Sequence, residues 1–316
     1  MPQDPSIPVI DVAPLRAGVP SGQAAAAAEL GRACRDVGFF YVTGHGIAPG
    51  CIAEVFAEAK RFFAAPFSIK DPVRYTGTAG NRGHVPLGGE TLDPAMLPDL
   101  KECFNIGLDL SDDDPDLLAG KPFRHRNPWP ALPGFRETML DYFRQVHDLG
   151  RALHRAFALD LGLDPLFFED KLDRPMAVLR LLHYPGTMTP TAGQLGAGEH
   201  TDYGNLTLLA VDEVGGLVVR TRAGAWVDAP VIPGALVCNI GDCLMRWTND
   251  VYVSTPHRVV SPRSEHRYSA AFFLDPNPDA VVGCLPTCLG GNGAKYPPIL
   301  ASDYLRSRLE PTYRQL

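Results

Sequence analysis

Residues 200–211 read HTDYGNLTLLAV, in which a histidine and an aspartate two positions apart precede a β-prone apolar run. Similar short runs, each bounded by turn residues, follow one another through the second half of the chain. This cadence predicts an antiparallel sandwich or barrel rather than a helical bundle. The strands expected here are residues 176–184, 205–211, 216–221, 235–240, 257–261 and 267–275.

The first half of the chain predicts helices interleaved with two short strands. Ser21 is an N-cap candidate before an alanine-rich run that ends near Val37. Apolar residues recur every three to four positions from Phe135 to Phe157, as in an amphipathic helix packed on a core. The elements expected here are strands at residues 7–12 and 38–42, and helices at residues 21–37, 49–64 and 133–161.

We divide the chain into three parts of one compact unit. Residues 1–165 form an N-terminal region of helices and strands packed on the core, residues 166–300 form the β core, and residues 301–316 contain a C-terminal helix. The expected fold class is therefore mainly β with flanking helices. Residues 72–130 are rich in glycine and proline and lack periodicity, which is typical of functional loops, so we expect substrate contacts from residues 75–105.

Composition and charge exclude several classes of protein. Glycine and proline together make up about a fifth of the 316 residues, below the ~25–30% typical of disordered chains. The net charge of −7 argues against a nucleic-acid partner. The sequence shows no apolar run of ~18 residues, polybasic anchor or signal peptide, so we expect no membrane association. Seven scattered cysteines do not suggest a disulfide framework, and we expect a cytoplasmic location.

The strongest chemical signal is a set of three candidate metal ligands. His200 and Asp202 would share one face of a strand, and His257 begins a later β-prone run. Two histidines and one carboxylate leave open positions on a metal, as in the facial triad of non-haem Fe(II) oxygenases. About one His-x-acid match is expected by chance among nine histidines and 36 acidic residues. Taken alone, each histidine is more often a polar residue at a barrel rim.

A second cluster could recognise a carboxylate. Arg267 and Ser269 share one strand face, and we expect this strand to return from His257 as a hairpin that turns at residues 261–265. A guanidinium fork beside a hydroxyl suits a buried carboxylate. Tyr184, from a neighbouring strand, could add a third hydrogen bond. The alternative is a salt bridge within the barrel, capped by the tyrosine.

Arg180 shares a strand face with Tyr184 and is therefore expected to face the same cavity. A buried guanidinium needs an anionic partner. That partner is either a carboxylate of the protein or a carboxylate of the substrate or co-substrate.

Several segments of the chain, taken together and in order, resemble the isopenicillin N synthase-like family of Fe(II)/2-oxoglutarate-dependent dioxygenases. The resemblance runs nearly from end to end. The segments that carry it are Ile7–Asp11, Asp36–Ile47, Lys101–Gly107, Asn127–Pro130, Pro133–Phe135, His200–Gly204, Asn239–Asp242, Trp247–Asp250, Ser254–Val259 and Arg267–Ser269.

The resemblance implies a distorted double-stranded β-helix, or jelly roll, with Fe(II) held by His200, Asp202 and His257. It also implies that 2-oxoglutarate chelates the iron, with its far carboxylate held by Arg267, Ser269 and Tyr184. Substrate oxidation with O2 would then be coupled to decarboxylation of 2-oxoglutarate to succinate and CO2. Hydroxylation of a small molecule is the default outcome, although desaturation, ring closure and epoxidation occur on the same scaffold.

One departure and two alternative functions accompany this interpretation. Plant members commonly have asparagine where Leu182 stands, which puts an amide contact near the co-substrate in doubt. The first alternative is an iron-dependent oxidase of the same fold that does not use 2-oxoglutarate. The second is a non-catalytic jelly-roll module that binds a small ligand, against which the complete triad weighs. The sequence assigns no oligomeric state.

Overall fold

The strands of the protein are short and cluster in the second half of the chain, as the alternation of apolar runs and turns predicts. The computed structural model describes residues 7–17, 20–77, 80–93, 96–186, 194–260, 265–291 and 293–312. In these residues the strands are β1 (Val9–Asp11), β2 (Phe39–Thr43), β3 (Gly83–Val85), β4 (Glu102–Gly107), β5 (Val178–Tyr184), β6 (Ala197–His200), β7 (Leu206–Val211), β8 (Leu217–Arg220), β9 (Trp226–Asp228), β10 (Leu236–Ile240), β11 (His257–Val259), β12 (Arg267–Leu274), β13 (Val281–Val282) and β14 (Ile299–Leu300).

The helices flank these strands and lie mostly in the first half of the chain. Three further segments, at residues 71–73, 169–171 and 286–288, are short 3₁₀ turns. None of the described helices is both long enough and apolar enough to cross a membrane. The α-helices are α1 (Ala13–Ala17), α2 (Pro20–Asp36), α3 (Pro49–Phe63), α4 (Phe67–Lys70), α5 (Pro115–Leu118), α6 (Phe135–Asp160), α7 (Asp242–Trp247) and α8 (Ala301–Thr312).

Two sheets form the jelly roll. The larger has eight strands in the order β1-β2-β10-β7-β12-β5-β4-β3, and the smaller has four in the order β6-β11-β8-β9. One apolar cluster joins inward-facing side chains of both sheets, including Tyr41, Leu182, Val219 and Ala271. This arrangement confirms the predicted fold class, mainly β with flanking helices around a jelly-roll core.

The outer face of the larger sheet is covered by helices. Along α6 the side chains of Met139, Val146, Leu153 and Phe157 are fully buried at the three-to-four spacing of an amphipathic helix. Strand β5 is buried on both faces, so its odd and even positions contribute to different clusters. The outer face of the larger sheet therefore packs against the helices through apolar side chains. The inner face carries the polar side chains that line the cavity.

The N-terminal third of the chain is more tightly built into the sheet than its sequence pattern indicates. Strands β1 and β2 form one edge of the larger sheet, and β3 and β4 form the other. The sequence predicted only loops where β3 and β4 lie, and it also missed β6 and α7. Strands β3 and β4 are buried on both faces, so period-two patterning does not mark them.

The predicted hairpin between the strands of His257 and Arg267 is wrong. Strand β11 lies in the smaller sheet, between β6 and β8, whereas β12 lies in the larger sheet, between β5 and β7. The chain therefore crosses from one sheet to the other between them. Residues 261–264 of the predicted turn lie outside the described residues.

Candidate metal centre

The two candidate histidine ligands meet across neighbouring strands of the smaller sheet. His257 begins β11 and pairs directly with His200, the last residue of β6. Their ring centroids lie 4.3 Å apart, and Phe39 packs edge-on against His257 at 5.2 Å. Strand pairing thus brings together two side chains that are far apart in sequence.

Asp202 completes the cluster from a loop rather than from a strand. Strand β6 ends at His200, so the expected alternation along one strand does not place Asp202. Its Oδ1 nevertheless lies 3.8 Å from Nε2 of His200 and 3.6 Å from Nε2 of His257. The three ligand atoms all fall within 4.8 Å of one another, and this is the only such group found among the described residues.

Each of the three side chains is anchored through the atom that points away from the cluster. Nδ1 of His200 lies 2.8 Å from the carbonyl oxygen of Gly198, and Nδ1 of His257 lies 3.2 Å from that of Thr255. Such contacts fix the tautomer and leave each Nε2 able to bind a metal.

The carboxylate is oriented in the same way. Oδ2 of Asp202 accepts hydrogen bonds from Oγ1 of Thr207 at 2.5 Å and from Nδ2 of Asn239 at 2.6 Å. Oδ1 is therefore left facing the histidines. The sequence analysis missed Thr207 and Asn239, although Asn239 lies in a segment that carries the family resemblance.

The electrostatics of the cluster suit a divalent cation. Burial, with the charge of His257 beside it, lowers the pKa of His200, so its ring stays neutral and retains a lone pair. Burial works against ionisation of Asp202, but the two imidazoles and the hydrogen bonds from Asn239 and Thr207 outweigh it and lower the pKa of this carboxyl. Two imidazole nitrogens and one carboxylate with open positions match the donor set of a non-haem Fe(II) site.

Arg267 lines the same cavity and is almost completely buried. Its Nε donates to the carbonyl oxygen of Gly215 at 2.5 Å and its Nη1 to Oγ of Ser269 at 3.3 Å. Tyr184, directly opposite Arg267 in the β5–β12 pairing, places its ring 4.6 Å from the guanidinium carbon. No carboxylate of the described residues lies within salt-bridge distance of Arg267. A buried guanidinium of this kind can receive a carboxylate from outside the chain, and the predicted role of Arg267, Ser269 and Tyr184 stays a prediction.

Arg180 also lines the cavity, but the protein supplies its anionic partner. Nη1 of Arg180 donates to Oε1 of Glu90 at 3.1 Å, and its Nε donates to Oδ1 of Asn105 at 2.9 Å. Glu90 also lies 3.0 Å from Nζ of Lys101, which in turn contacts Asp99. The structural carboxylate partner considered for Arg180 is thus present, and a contact between Arg180 and a substrate stays a prediction.

The lining of the cavity also includes a residue that the sequence analysis did not single out, Asp275. Asp275 comes directly after β12 and continues the row of every second residue that begins with Arg267 and Ser269. The alternation of side chains along the strand could therefore have predicted that Asp275 faces the cavity. Burial raises its pKa to about 7, and the charge of Asp202 adds to this effect. Around it the wall is mainly apolar, with Met176, Val178 and Phe273.

The cavity is lined by every site residue that the sequence analysis named. Residues Asn81, Glu90, Leu92 and Lys101 of the 75–105 segment lie along its wall, as do Leu305 and Leu309 of α8. A jelly roll with an open facial triad and a carboxylate pocket in one cavity defines the class of non-haem Fe(II) oxygenases that use a keto-acid co-substrate.

Comparisons with known proteins specify the family. A model for the 2OG-Fe(II) oxygenase superfamily matches residues 175–276, and a model for the N-terminal part of a non-haem dioxygenase in morphine synthesis matches residues 7–132. The chain belongs to the 2OG-Fe(II) oxygenase superfamily. It is a 2-oxoglutarate-dependent dioxygenase that requires Fe(II), which confirms the class predicted from the sequence.

Individual relatives match over almost the whole chain. A 2-oxoglutarate-Fe(II) type oxidoreductase from Emericella nidulans is 36% identical over 314 residues, which cover 97% of this chain and 90% of the relative. A homoarginine-6-hydroxylase from Glycine max is 37% identical over 297 residues, or 89% of each chain. The crystal structure of a full-length Neurospora crassa protein in complex with alpha-KG has a TM-score of 0.86 at 35% identity and covers 98% of both chains. The same Neurospora crassa protein has also been crystallised with alpha-KG and thymine, at the same TM-score.

Proposed function

We propose that His200, Asp202 and His257 hold the Fe(II), and that the enzyme hydroxylates a small molecule. The observation that carries this assignment is the orientation of the three ligand atoms toward one another. Each side chain is fixed through its outer atom and keeps its inner atom free. Iron bound there supplies the oxidative chemistry when O2 and 2-oxoglutarate are present.

Arg267, Ser269 and Tyr184 hold the far carboxylate of 2-oxoglutarate in this proposal. The buried guanidinium of Arg267 supplies the countercharge and Ser269 a hydroxyl donor, and the hydroxyl group of Tyr184 adds a hydrogen bond. Binding at this depth orients the keto-acid end toward the triad and keeps water away from it. The absence of a protein carboxylate beside Arg267, among the described residues, supports this role.

The prime substrate occupies the outer part of the cavity. Its wall there combines apolar side chains with the polar groups of Asn81 and Arg180, a mixture suited to a small organic molecule. Relatives point in the same direction, since one is named a homoarginine-6-hydroxylase and the Neurospora crassa protein was crystallised with thymine.

Metal content and turnover test the ligand assignment together. We expect His200→Ala, Asp202→Ala and His257→Ala each to abolish iron-dependent release of succinate and CO2 from 2-oxoglutarate. Circular dichroism should stay at the wild-type level, because the ligands line a cavity rather than fill the core. Iron is measured by elemental analysis of the reconstituted protein.

His125→Ala is the matched control because His125 is a half-buried histidine outside the cavity lining. It should keep both iron and turnover. Full turnover in any one of the three ligand variants would overturn the assignment. Iron-dependent turnover of a substrate by the wild type without 2-oxoglutarate would instead favour the oxidase alternative.

A further inference from the structure

Asp275 presents a carboxylate to the cavity directly after the end of β12. Residues 267, 269, 271, 273 and 275 all line the cavity, as alternation along β12 requires. Arg267 and Asp275 lie at opposite ends of this row. Only 5% of Asp275 is exposed, so whatever meets its carboxylate does so inside the cavity.

Asp275 lacks the partners that the other buried carboxylates of the site possess. Glu90 lies against Arg180 and Lys101, and Asp202 accepts from Thr207 and Asn239. Within the described part of the chain, Asp275 has no hydrogen bond from any side chain or backbone group, and no cation within salt-bridge distance. A carboxylate buried without a partner is costly, which points to a ligand as the missing partner.

The backbone beside Asp275 leaves room for its carboxylate. A Cβ added to Gly204 would lie 2.2 Å from Oδ1 of Asp275, so the oxygen occupies space that a side chain at this position would fill. Gly204 lies two residues after Asp202, in the loop that delivers the metal ligand. The carboxylate therefore borders the part of the cavity in which a substrate would approach the metal.

A count of charges in the cavity gives the sign of the expected ligand group. With Fe(II) and 2-oxoglutarate bound, their charges and those of Asp202 and Arg267 cancel. The cluster of Glu90, Asp99, Lys101 and Arg180 is neutral as well. Among the described residues that line the cavity, Asp275 in its ionised form carries the one charge without a counterpart.

We propose that Asp275 determines substrate specificity by binding a protonated nitrogen of the substrate, an amine or a guanidinium group. The inference rests on the proposed function and names the class of its substrate, a small organic cation with an apolar body. The cationic group makes charge-assisted hydrogen bonds to the carboxylate. The apolar body lies against Phe273, Val178 and Met176, which line the same end of the cavity.

The test compares matched pairs of probes on the iron- and 2-oxoglutarate-loaded enzyme. Each pair is a primary amine or guanidine and the alcohol of the same carbon skeleton, taken over a range of alkyl and phenylalkyl skeletons. Substrate-stimulated succinate release and the apparent KM are measured for wild type, Asp275→Asn and Asp279→Asn. The control residue Asp279 is exposed and lies four positions further along the chain.

We expect the wild type to prefer the cationic member of its best pair by about 10- to 100-fold, the range of a hydrogen bond to a charged group. Asp275→Asn should remove most of this preference, and Asp279→Asn should keep it. An amine that binds the iron directly would still be preferred over its alcohol in Asp275→Asn. The variant therefore distinguishes binding to Asp275 from binding to the iron. Equal use of amine and alcohol by the wild type, or an unchanged preference in Asp275→Asn, overturns the inference.

Stability gives a second readout. Replacing an unpartnered buried carboxylate with a neutral amide should leave the Tm unchanged or raise it, whereas removal of a structural carboxylate lowers it. A clear fall in the Tm of Asp275→Asn would therefore overturn the proposal. Decarboxylation of 2-oxoglutarate by the wild type without any probe tests the proposed function separately. This decarboxylation can persist in an enzyme that shows no preference for cations. If no decarboxylation is seen under any condition, the proposed function itself is refuted.

Discussion

At the scale of single residues, the proposed binding of 2-oxoglutarate depends most on Arg267. Its side chain is buried, it shares hydrogen bonds only with Gly215 and Ser269 in the described structure, and it is stacked on Tyr184. An unpaired buried guanidinium is as costly as an unpaired buried carboxylate. The burial of Arg267 without a protein carboxylate, among the described residues, therefore supports the proposal that it binds the far carboxylate of 2-oxoglutarate.

Substitution of Arg267 should weaken 2-oxoglutarate binding more than it affects iron. The loss of one partner from a buried, charge-assisted pair costs about 2–5 kcal/mol, so we expect Arg267→Ala to raise the KM for 2-oxoglutarate by at least about 30-fold. Arg267→Lys should raise it less, because it keeps the charge but loses the planar fork. Ser269→Ala should raise it by several-fold at most, since it removes one hydroxyl hydrogen bond.

Steady-state succinate release over a range of 2-oxoglutarate concentrations measures these KM values. The control is Arg220→Ala, which removes an exposed arginine that pairs with Glu199 on the surface, and its KM should match the wild type. Iron content should stay unchanged in all of the variants. An unchanged KM in Arg267→Ala would contradict the co-substrate assignment.

At the scale of elements, the junction of β10 and α7 supports the loop of residues 201–205, which carries Asp202. Gly241 lies between the two elements, and its N–H donates to the carbonyl oxygen of Asn205 at 3.0 Å. The N–H of the next residue, Asp242, donates to the carbonyl oxygen of Asp202 at 2.7 Å. The loop that carries Asp202 is thus attached through its backbone to the start of a helix. Position 241 requires glycine because an added Cβ would lie 2.3 Å from the carbonyl oxygen of Gly204.

We expect Gly241→Ala to lower iron affinity by about 10- to 100-fold, the usual effect of disturbing groups that orient metal ligands. The clash is with backbone, so the loop must shift and Asp202 must move with it. A titration with Fe(II) under anaerobic conditions measures the affinity. In Gly290→Ala, the control, the added Cβ meets no atom within 4 Å. Wild-type affinity in Gly241→Ala would show that the loop tolerates the shift.

At the scale of the whole molecule, Glu102 ties the N-terminal region to the jelly roll on the side of the sheet away from the cavity. Its Oε2 lies 2.9 Å from Nε2 of His84 on β3 and 3.4 Å from Nζ of Lys70 on α4, and its Oε1 lies 2.9 Å from Nδ1 of His183 on β5. Burial alone would raise the pKa of Glu102. The hydrogen bonds from His183 and His84 and the charge of Lys70 outweigh it and lower the pKa from 4.5 to about 2.

This pKa difference predicts a defined pH dependence of stability. A carboxyl whose pKa is lower in the folded than in the unfolded state stabilises the fold above its unfolded pKa. The stabilisation is then lost as the pH falls from about 4.5 toward 2. We expect Glu102→Gln to lower the free energy of unfolding by up to about 3 kcal/mol at pH 7, and the gap to the wild type to shrink across that interval.

Urea unfolding of the two proteins at a series of pH values, without added iron, measures this gap. Glu29→Gln is the matched control because Glu29 is exposed on α2, and its unfolding should follow the wild type at every pH. A gap between Glu102→Gln and the wild type that is constant down to about pH 2 would show that the carboxylate charge plays no part.

Much of the architecture could be read from local patterns. Helix α6, predicted at residues 133–161, runs from Phe135 to Asp160, and the later strands agree with their predicted positions within a few residues. The shared face of Arg267, Ser269 and the opposing Tyr184 was also predicted, because alternation along a strand is a property of the backbone alone. The family and its co-substrate followed from these motifs in their order. The three-part division of the chain and the cytoplasmic location stay predictions.

The amino-acid sequence by itself thus determined the fold class and the family, because both depend on residue types and motifs in a recognisable order. It also predicted the residues of the metal and carboxylate sites. Only the tertiary structure decided that β11 and β12 belong to different sheets, that Glu90 neutralises Arg180, and that Asp275 faces the cavity without a partner among the described residues. These facts depend on which distant segments lie side by side. That choice is made by the packing of the whole core, which no local pattern contains.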